Sequence, residues 1–357
     1  MRIERAQMNP LISPLHVTPS SEEMQVVSAF NAAAVTWGDE TILMLRVAEM
    51  AKPTSEEEVA VPILVHENSR PHVAVRRFQK GTPGLDLSDP RAVIVNGEVL
   101  LSTLSHLRLA RGKDGYHFDI EKRPAIFPTE PYEEYGIEDP RMTVIEGTAY
   151  INYTAVSRYG VCVALASTDD FVTYHKHGVI LPPENKNVVI FPERVGEHYV
   201  MIHRPATSGL GNQQMWLAYS HDMENWGHHV PLMSKRPGMW DSIRIGAGAV
   251  PIKTEHGWLE IYHGVNEQQG YCLGAVLLDL HDPATILARS SIPFLIPETE
   301  YERTGFYGNV VFTCGAVVTT RESDPVVHIY YGAADTVSAL CFCEAEPLVQ
   351  FILEHAM

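Results

Sequence analysis

The sequence predicts an all-β protein built as a β-propeller, and three observations carry that expectation. Long helical periodicity is scarce, and short runs rich in Val, Ile, Tyr and Leu recur instead, broken by Asp-Gly, Asn-Gly, Pro-Gly or Asp-Pro. A strand ending in a Leu-Ala-like pair and followed by a polar, Asp-bearing turn repeats along the chain. Leu109-Ala110 leads to Lys113-Asp114-Gly115, Leu165-Ala166 to Thr168-Asp169-Asp170, and Leu217-Ala218 to His221-Asp222, at spacings of 56 and 52 residues. A degenerate copy, Val276-Leu277-Leu278-Asp279, follows 60 residues on. An aromatic-bearing strand accompanies the repeat at Tyr150 to Ala155, Tyr199 to His203, Trp258 to His263 and His328 to Tyr331.

Units of roughly 50 to 60 residues, each with about four short strands, have the size of propeller blades, and radial closure removes exposed sheet edges. The first unit is expected from Phe30 to Phe78 and the last from Asn309 to Cys343, sharing strands to close the ring. The count is five or six. A pair of β-sandwiches is the alternative architecture. The whole chain, 1–357, is expected to form one domain, with 1–25 and 345–357 as closing extensions.

Composition agrees with a folded chain. Of 357 residues, 45% are apolar and 20% charged, which supports a large core and excludes a disordered or coiled-coil protein. A net charge of −17 repels nucleic acid and anionic membrane, so neither is an expected partner. The N-terminus lacks a secretory pattern and no apolar run reaches the length of a membrane span, so a cytoplasmic location is expected. Five cysteines with no Cys-x-x-Cys pair read as reduced core residues.

In a propeller the inner strands surround a channel, and polar residues at their starts converge on one mouth. The strongest such segment is Gly136-Ile137-Glu138-Asp139-Pro140-Arg141, two carboxylates and a guanidinium ahead of a strand. The proline biases Asp139 toward extended geometry; Asp89-Pro90-Arg91 repeats the tripeptide and reads as a turn. Asn31, Arg46, Arg158, Lys186, His203-Arg204, Trp240-Asp241, Arg244, Tyr262-His263 and Asp335 occupy comparable positions. Several cations at one mouth of an acidic chain focus a local positive field suited to a small anion such as phosphate. Trp240 is the tryptophan placed to stack on a sugar. Ile245-Gly246-Ala247-Gly248 leads into a Pro-interrupted strand and reads as close packing, not as a nucleotide loop. His228-His229 is a poor metal pair because neighbours on a strand face opposite ways, and no metal or organic cofactor is expected.

These residues resemble glycoside hydrolase family 130, the β-mannoside phosphorylases. Phe30-Asn31 with Arg46, Glu138-Asp139-Pro140-Arg141, Glu184-Asn185-Lys186-Asn187 with Phe191-Pro192-Glu193, and His203-Arg204-Pro205 carry the likeness. So do Ile245-Gly246-Ala247-Gly248, Tyr262-His263-Gly264, Asn309-Val310-Val311-Phe312 and Tyr331 to Thr336. Arg236 to Arg244 and Gly305-Phe306-Tyr307-Gly308 look most like the branch acting on β-1,2-linked mannose. The resemblance implies five blades and inverting phosphorolysis, in which phosphate attacks the terminal mannose and releases α-mannose 1-phosphate. It implies Asp139 as general acid, Arg158, Lys186 and His203 around phosphate, and Asn31, Arg46 and Asp335 on the mannose. Tyr262, His263, Asp241 and Arg244 are expected as further substrate-binding residues, and a homo-oligomer is expected. The alternatives are a β-mannosidase, with Glu184 or Glu193 as the base it requires; a phosphorylase of β-1,4-mannosyl-glucose or N-acetylglucosamine; and a non-catalytic glycan-binding propeller.

Overall fold

The computed structural model describes residues 1–67, 70–206, 213–321 and 324–356, and the chain is all-β. Five antiparallel sheets follow one another, and within each the strands lie side by side in the same succession. The first holds Met24–Trp37, Glu40–Ala51, Leu104–Gly112 and Asp119–Ile120; the second holds Ile137–Ile145, Thr148–Ser157, Gly160–Thr168 and His175–Leu181. The third is Asn185–Ile190, Tyr199–Pro205, Met215–Ser220 and Gly227–Met233. The fourth is Arg244–Ala247, Gly257–Asn266, Gly270–Leu278 and Ile286–Arg289, with Ile252–Thr254 also paired to its second strand. The fifth is Val311–Arg321, Asp324–Ala333 and Val337–Glu344, and its outermost strand is Glu4–Arg5 from the start of the chain.

The repeat read from the sequence is the third strand of each of the first four sheets. Leu109, Leu165, Leu217 and Leu277 all sit there, and the aromatic strands are the second ones. The polar turn has a definite construction. Thr168 Oγ1 accepts from the backbone of Asp170 and Phe171, while Asp170 Oδ1 accepts from Val172 and Thr173. Ser220 and Asp222 repeat the same pattern in the next sheet, accepting from Asp222 and Met223 and from Glu224 and Asn225. A short polar side chain that caps backbone N–H groups locally is what a tight turn between two strands requires.

Both faces of each sheet are buried, because side chains alternate along a strand and each face meets a neighbour. Ile42 and Met44 pack with Ile137 and Ile151 of the second sheet, whereas Leu43, Leu45 and Val47 pack with Val317 and Tyr330 of the fifth. Val163 and Ile190 join the second sheet to the third, Ile202 and Ile245 the third to the fourth, and Ile261 and Val327 the fourth to the fifth. This double burial explains why the strands read as near-continuous apolar runs. All five cysteines are buried and unpaired, and no helix among the described residues is long and apolar enough to cross a membrane.

The expected first unit is corrected. Residues 52–103 leave the first sheet after its second strand and form a hairpin, Glu58–Glu67 with Arg70–Gln79, and a small three-stranded sheet. Phe78 therefore lies in an insertion and not in a blade-like strand.

Arg5 ties the N-terminal strand to the 296–302 segment. Its guanidinium donates to buried Glu302 at 2.8 and 3.1 Å and to the Ile296 carbonyl at 2.7 Å, and Glu302 also accepts from Tyr331. Arg5→Ala strips this partner from a buried carboxylate, which costs about 3 kcal/mol. A drop in melting temperature measured by calorimetry, with secondary structure retained below it, is the expected result; an unchanged melting curve would show that the pair does not hold the N-terminal strand in place.

Candidate active site

One backbone device recurs in the first strand of three sheets. The pairing register slips by one residue between Phe30 and Ala33, between Glu138 and Arg141, and between Lys186 and Val189. At each slip a non-glycine residue takes a left-handed conformation: Asn31 at φ 48°, Asp139 at φ 48° and Asn187 at φ 54°. A bulge suspends strict alternation, so two consecutive side chains face the same way. Phe30 and Asn31, Glu138 and Asp139, and Lys186 and Asn187 all line one cavity of about 410 Å³. Left-handed backbone outside glycine is costly and clusters at functional sites.

One part of the cavity is a carboxylate cluster. Asp139 Oδ1 accepts from Asn31 Nδ2 at 2.8 Å and from Arg46 Nη1 at 3.1 Å. Arg46 also donates to Glu138 Oε1 at 2.7 Å and to Ser105 at 3.1 Å, and lies over the Phe30 ring. No side-chain donor among the described residues reaches Asp139 Oδ2. Beneath it, buried Arg141 donates to the carbonyls of Asp139, Ala247 and Gly248, which ties the second sheet to the fourth. Burial alone raises the Asp139 carboxyl, but Arg46, Arg141 and the Asn31 amide outweigh it and hold the group below its ordinary value. Asp335, also on the cavity wall, is pushed up to about 6, first by burial and then against Arg46 by Asp139 and Glu138.

Beside these carboxylates the cations gather. Lys186, Arg204 and Arg244 line the same cavity with His263, Tyr271 and Asn187. Arg244 Nη1 donates to the Tyr271 hydroxyl at 2.7 Å, and the Asn187 amide lies 3.4 Å from His263 Nε2. Gly246 allows this approach, since a Cβ there would collide with both Asn187 and His263. None of the three cations has a carboxylate within salt-bridge distance among the described residues. Burial and then Arg204 lower the Lys186 ammonium, with Glu138 and Asp139 opposing; burial and then Arg244 lower Arg204 to about 10. His263 is depressed well below its ordinary value by burial and by Arg204, so it is neutral. Cations left without counter-ions in an enclosed space form an anion site.

The structure brings Asp139, Asn31, Arg46, Asp335, Lys186, Arg244 and His263 into this cavity and leaves four expected residues outside it. His203 is buried on the opposite face of its strand, against Asn185 and His229 at 3.1 and 3.0 Å. Burial and His229 lower it to about 4, so it is also uncharged. Its neighbour Arg204 is the residue that faces in, as period-two alternation demands. Arg158 projects outward and is held by Glu134. Tyr262 alternates away from His263 and, with Arg236 and Arg289, surrounds the fully buried Asp241 at 2.6 to 2.8 Å. This cluster anchors the 236–241 segment, and Trp240 is buried within it against Gly264 and Gly274, unavailable to a sugar.

Arg204 and Glu138, named among the candidates without a role, and Asn187, which appeared only within a motif, also line the cavity, and Tyr271 is a lining residue that the sequence reading missed. The bulge that admits Glu138 and Asn187 has no sequence mark beyond an Asp or Asn ready to adopt left-handed backbone. Of the acids a hydrolase would need, Glu193 pairs with Lys253 and Glu184 lies outside the cavity.

The chain is similar to known proteins over most of its length. A family profile described as β-1,4-mannooligosaccharide phosphorylase matches residues 90–354. The chain is 43% identical over 345 residues to a β-1,2-mannobiose phosphorylase of Listeria innocua, covering 96% of each. It is 38% identical over 250 residues to a 1,2-β-oligomannan phosphorylase of a Thermoanaerobacter species, covering 69% of this chain and 80% of that one. The solved structure of the Listeria innocua enzyme with β-1,2-mannobiose superposes with a TM-score of 0.93 at 41% identity, covering 99% of this chain and all of the other.

Proposed function

Because the chain belongs to glycoside hydrolase family 130, we propose that it carries out inverting phosphorolysis of β-mannosides. The substrate is β-1,2-linked mannobiose or oligomannan, and the products are α-D-mannose 1-phosphate and a sugar shortened by one unit. The observation that carries this reading is the set of three carboxylate-free cations, Lys186, Arg204 and Arg244, in the same cavity as Asp139.

Inversion requires an acid on the leaving-group side of the sugar and a nucleophile on the other. A hydrolase activates water with a second carboxylate. Here Glu138 is engaged by Arg46 and Asp89 by Arg91, and the carboxylate-free cations favour an anion that is already charged in the nucleophile's place. Asp139 offers Oδ2 toward the glycosidic oxygen while Oδ1 stays fixed by Asn31 and Arg46. Before phosphate binds Asp139 is an anion, since Arg46 and Arg141 favour that state. Phosphate bound by the cations offsets their field, so phosphate entry and protonation of the acid proceed together. Positive charge developing on the sugar ring is stabilised by the bound phosphate.

We also propose that the five sheets are the blades of one propeller. What supports it is that the first strand of the first sheet packs against those of the second and fifth, the first strands of the second, third and fourth meet in turn, and that of the fifth packs against the second and third strands of the fourth. The same reading takes the chain as a single catalytic unit in the cytoplasm, with phosphate as co-substrate and no organic cofactor.

The decisive assay incubates the protein with β-1,2-mannobiose with and without phosphate. Sugar phosphate released only when phosphate is present is expected; free mannose at the same rate without phosphate would overturn the reading. The pH dependence follows from the cations. Lys186 and Arg204 lose charge below the ordinary values of their groups, so the KM for phosphate rises as pH approaches 10. Lys186→Arg flattens the early part of that rise, which initial rates from pH 7 to 10 will measure.

A further inference from the structure

The insertion at 52–103 reaches back to the cavity, and Asp89 and Arg91 stand on its wall. Facing them is Tyr307, from the segment between the short helix Glu300–Arg303 and the fifth sheet. The Arg91 guanidinium lies 4.8 Å over the Tyr307 ring. Asp89 grips the same arginine through its backbone N–H at 2.9 Å, Nε at 3.0 Å and Nη2 at 2.8 Å. Nη1 has no partner among the described residues. Tyr307 is fixed as well: its N–H donates to Ala334, and the Phe306 N–H donates to Thr336. The preceding Gly305 sits so close to Ala334 and Thr336 that no side chain fits there.

Two contrasts with the inner site define what this pair is for. Arg91 is 51% exposed and Tyr307 40%, so they stand at the mouth, whereas Arg204 and His263 are buried at the inner end. The inner cations lack carboxylates, whereas Arg91 carries its own counter-ion in Asp89. That acid is lowered to about 2 by Arg91, so the pairing persists at any working pH. A neutralised guanidinium with one free donor edge, beside an aromatic face, suits a neutral polyhydroxylated ring and not an anion.

We propose that Arg91 and Tyr307 form a clamp at the cavity mouth that binds the leaving sugar and thereby selects the acceptor. The assignment rests on the phosphorolysis reading above: if the terminal residue is attacked at the deep end, the next sugar must lie at the mouth. At about 410 Å³ the cavity is near the lower end of the range of about 300–1,000 Å³ for small-molecule sites, so a longer chain has to pass out alongside this stacked pair.

The test runs the reaction in both directions with Arg91→Ala, Tyr307→Ala and Tyr307→Phe. In synthesis from α-mannose 1-phosphate and mannose, the first two variants raise the KM for mannose about tenfold, the loss of one charge-assisted hydrogen bond or one ring contact. The KM values for mannose 1-phosphate and phosphate stay within about twofold, melting temperatures hold, and Tyr307→Phe behaves as wild type because the face remains. Wild-type turnover with an unchanged acceptor KM in both alanine variants would overturn the clamp alone. Equal loss for donor and acceptor would also overturn it. No sugar phosphate from the wild-type protein would overturn the phosphorolysis reading and the clamp together.

Discussion

Asp139→Asn lowers kcat by at least about 10²-fold, the contribution of a positioned general acid. The amide keeps the shape of the side chain and an oxygen to accept from Asn31 and Arg46, so the cluster at 2.8 and 3.1 Å stays assembled. What is lost is a transferable proton on the second oxygen. KM values for phosphate and mannobiose therefore change little, and phosphate still binds in calorimetry. A mannoside whose leaving group departs without protonation recovers most of the rate, which separates a missing acid from a damaged site. Retention of more than a tenth of the wild-type kcat on mannobiose would remove Asp139 from the role.

Lys186→Ala raises the KM for phosphate by roughly 10- to 150-fold, the equivalent of about 1.5–3 kcal/mol for a hydrogen bond to a charged group. The KM for the sugar moves much less. The sign of the stability effect is the sharper diagnostic. In the empty cavity Lys186 repels Arg204 and Arg244 and lacks a carboxylate of its own, so removing it leaves the melting temperature unchanged or raises it. Activity falls while stability holds or gains, as expected where a site stores like charges for its ligand. A parallel loss of both would identify Lys186 as a structural residue. The same experiment on His203, which is neutral and faces Asn185 and His229, leaves the phosphate KM unaffected.

The difference between Lys186 and His203 shows how far pattern reading reaches. Both lie at the expected strand ends, and the repeat of Leu109, Leu165, Leu217 and Leu277 locates their sheets correctly. Whether a given residue faces the cavity depends on register, and one step along a strand reverses the answer. His203 and Arg204 are that single step apart, as are Tyr262 and His263. The three bulges then break the rule locally, so that Glu138 joins Asp139 and Asn187 joins Lys186. A bulge is set by how one strand pairs with its partner, and nothing within the strand announces it.

Composition and periodicity by themselves determined the class of fold, the repeated unit, the buried cysteines and the segments from which the site is drawn. Those are properties of local sequence, since alternation, turn chemistry and net charge need no knowledge of distant neighbours. The tertiary structure alone decided which cations meet, that Arg158 is committed to Glu134, that Asp241 sits in a structural ion cluster, and that an apparent Asp-Pro-Arg turn at 89–91 reaches the mouth of the cavity. These depend on side chains from different strands and sheets arriving on the same side of the backbone, and that is fixed by register, bulges and burial between sheets, which no single stretch of chain contains.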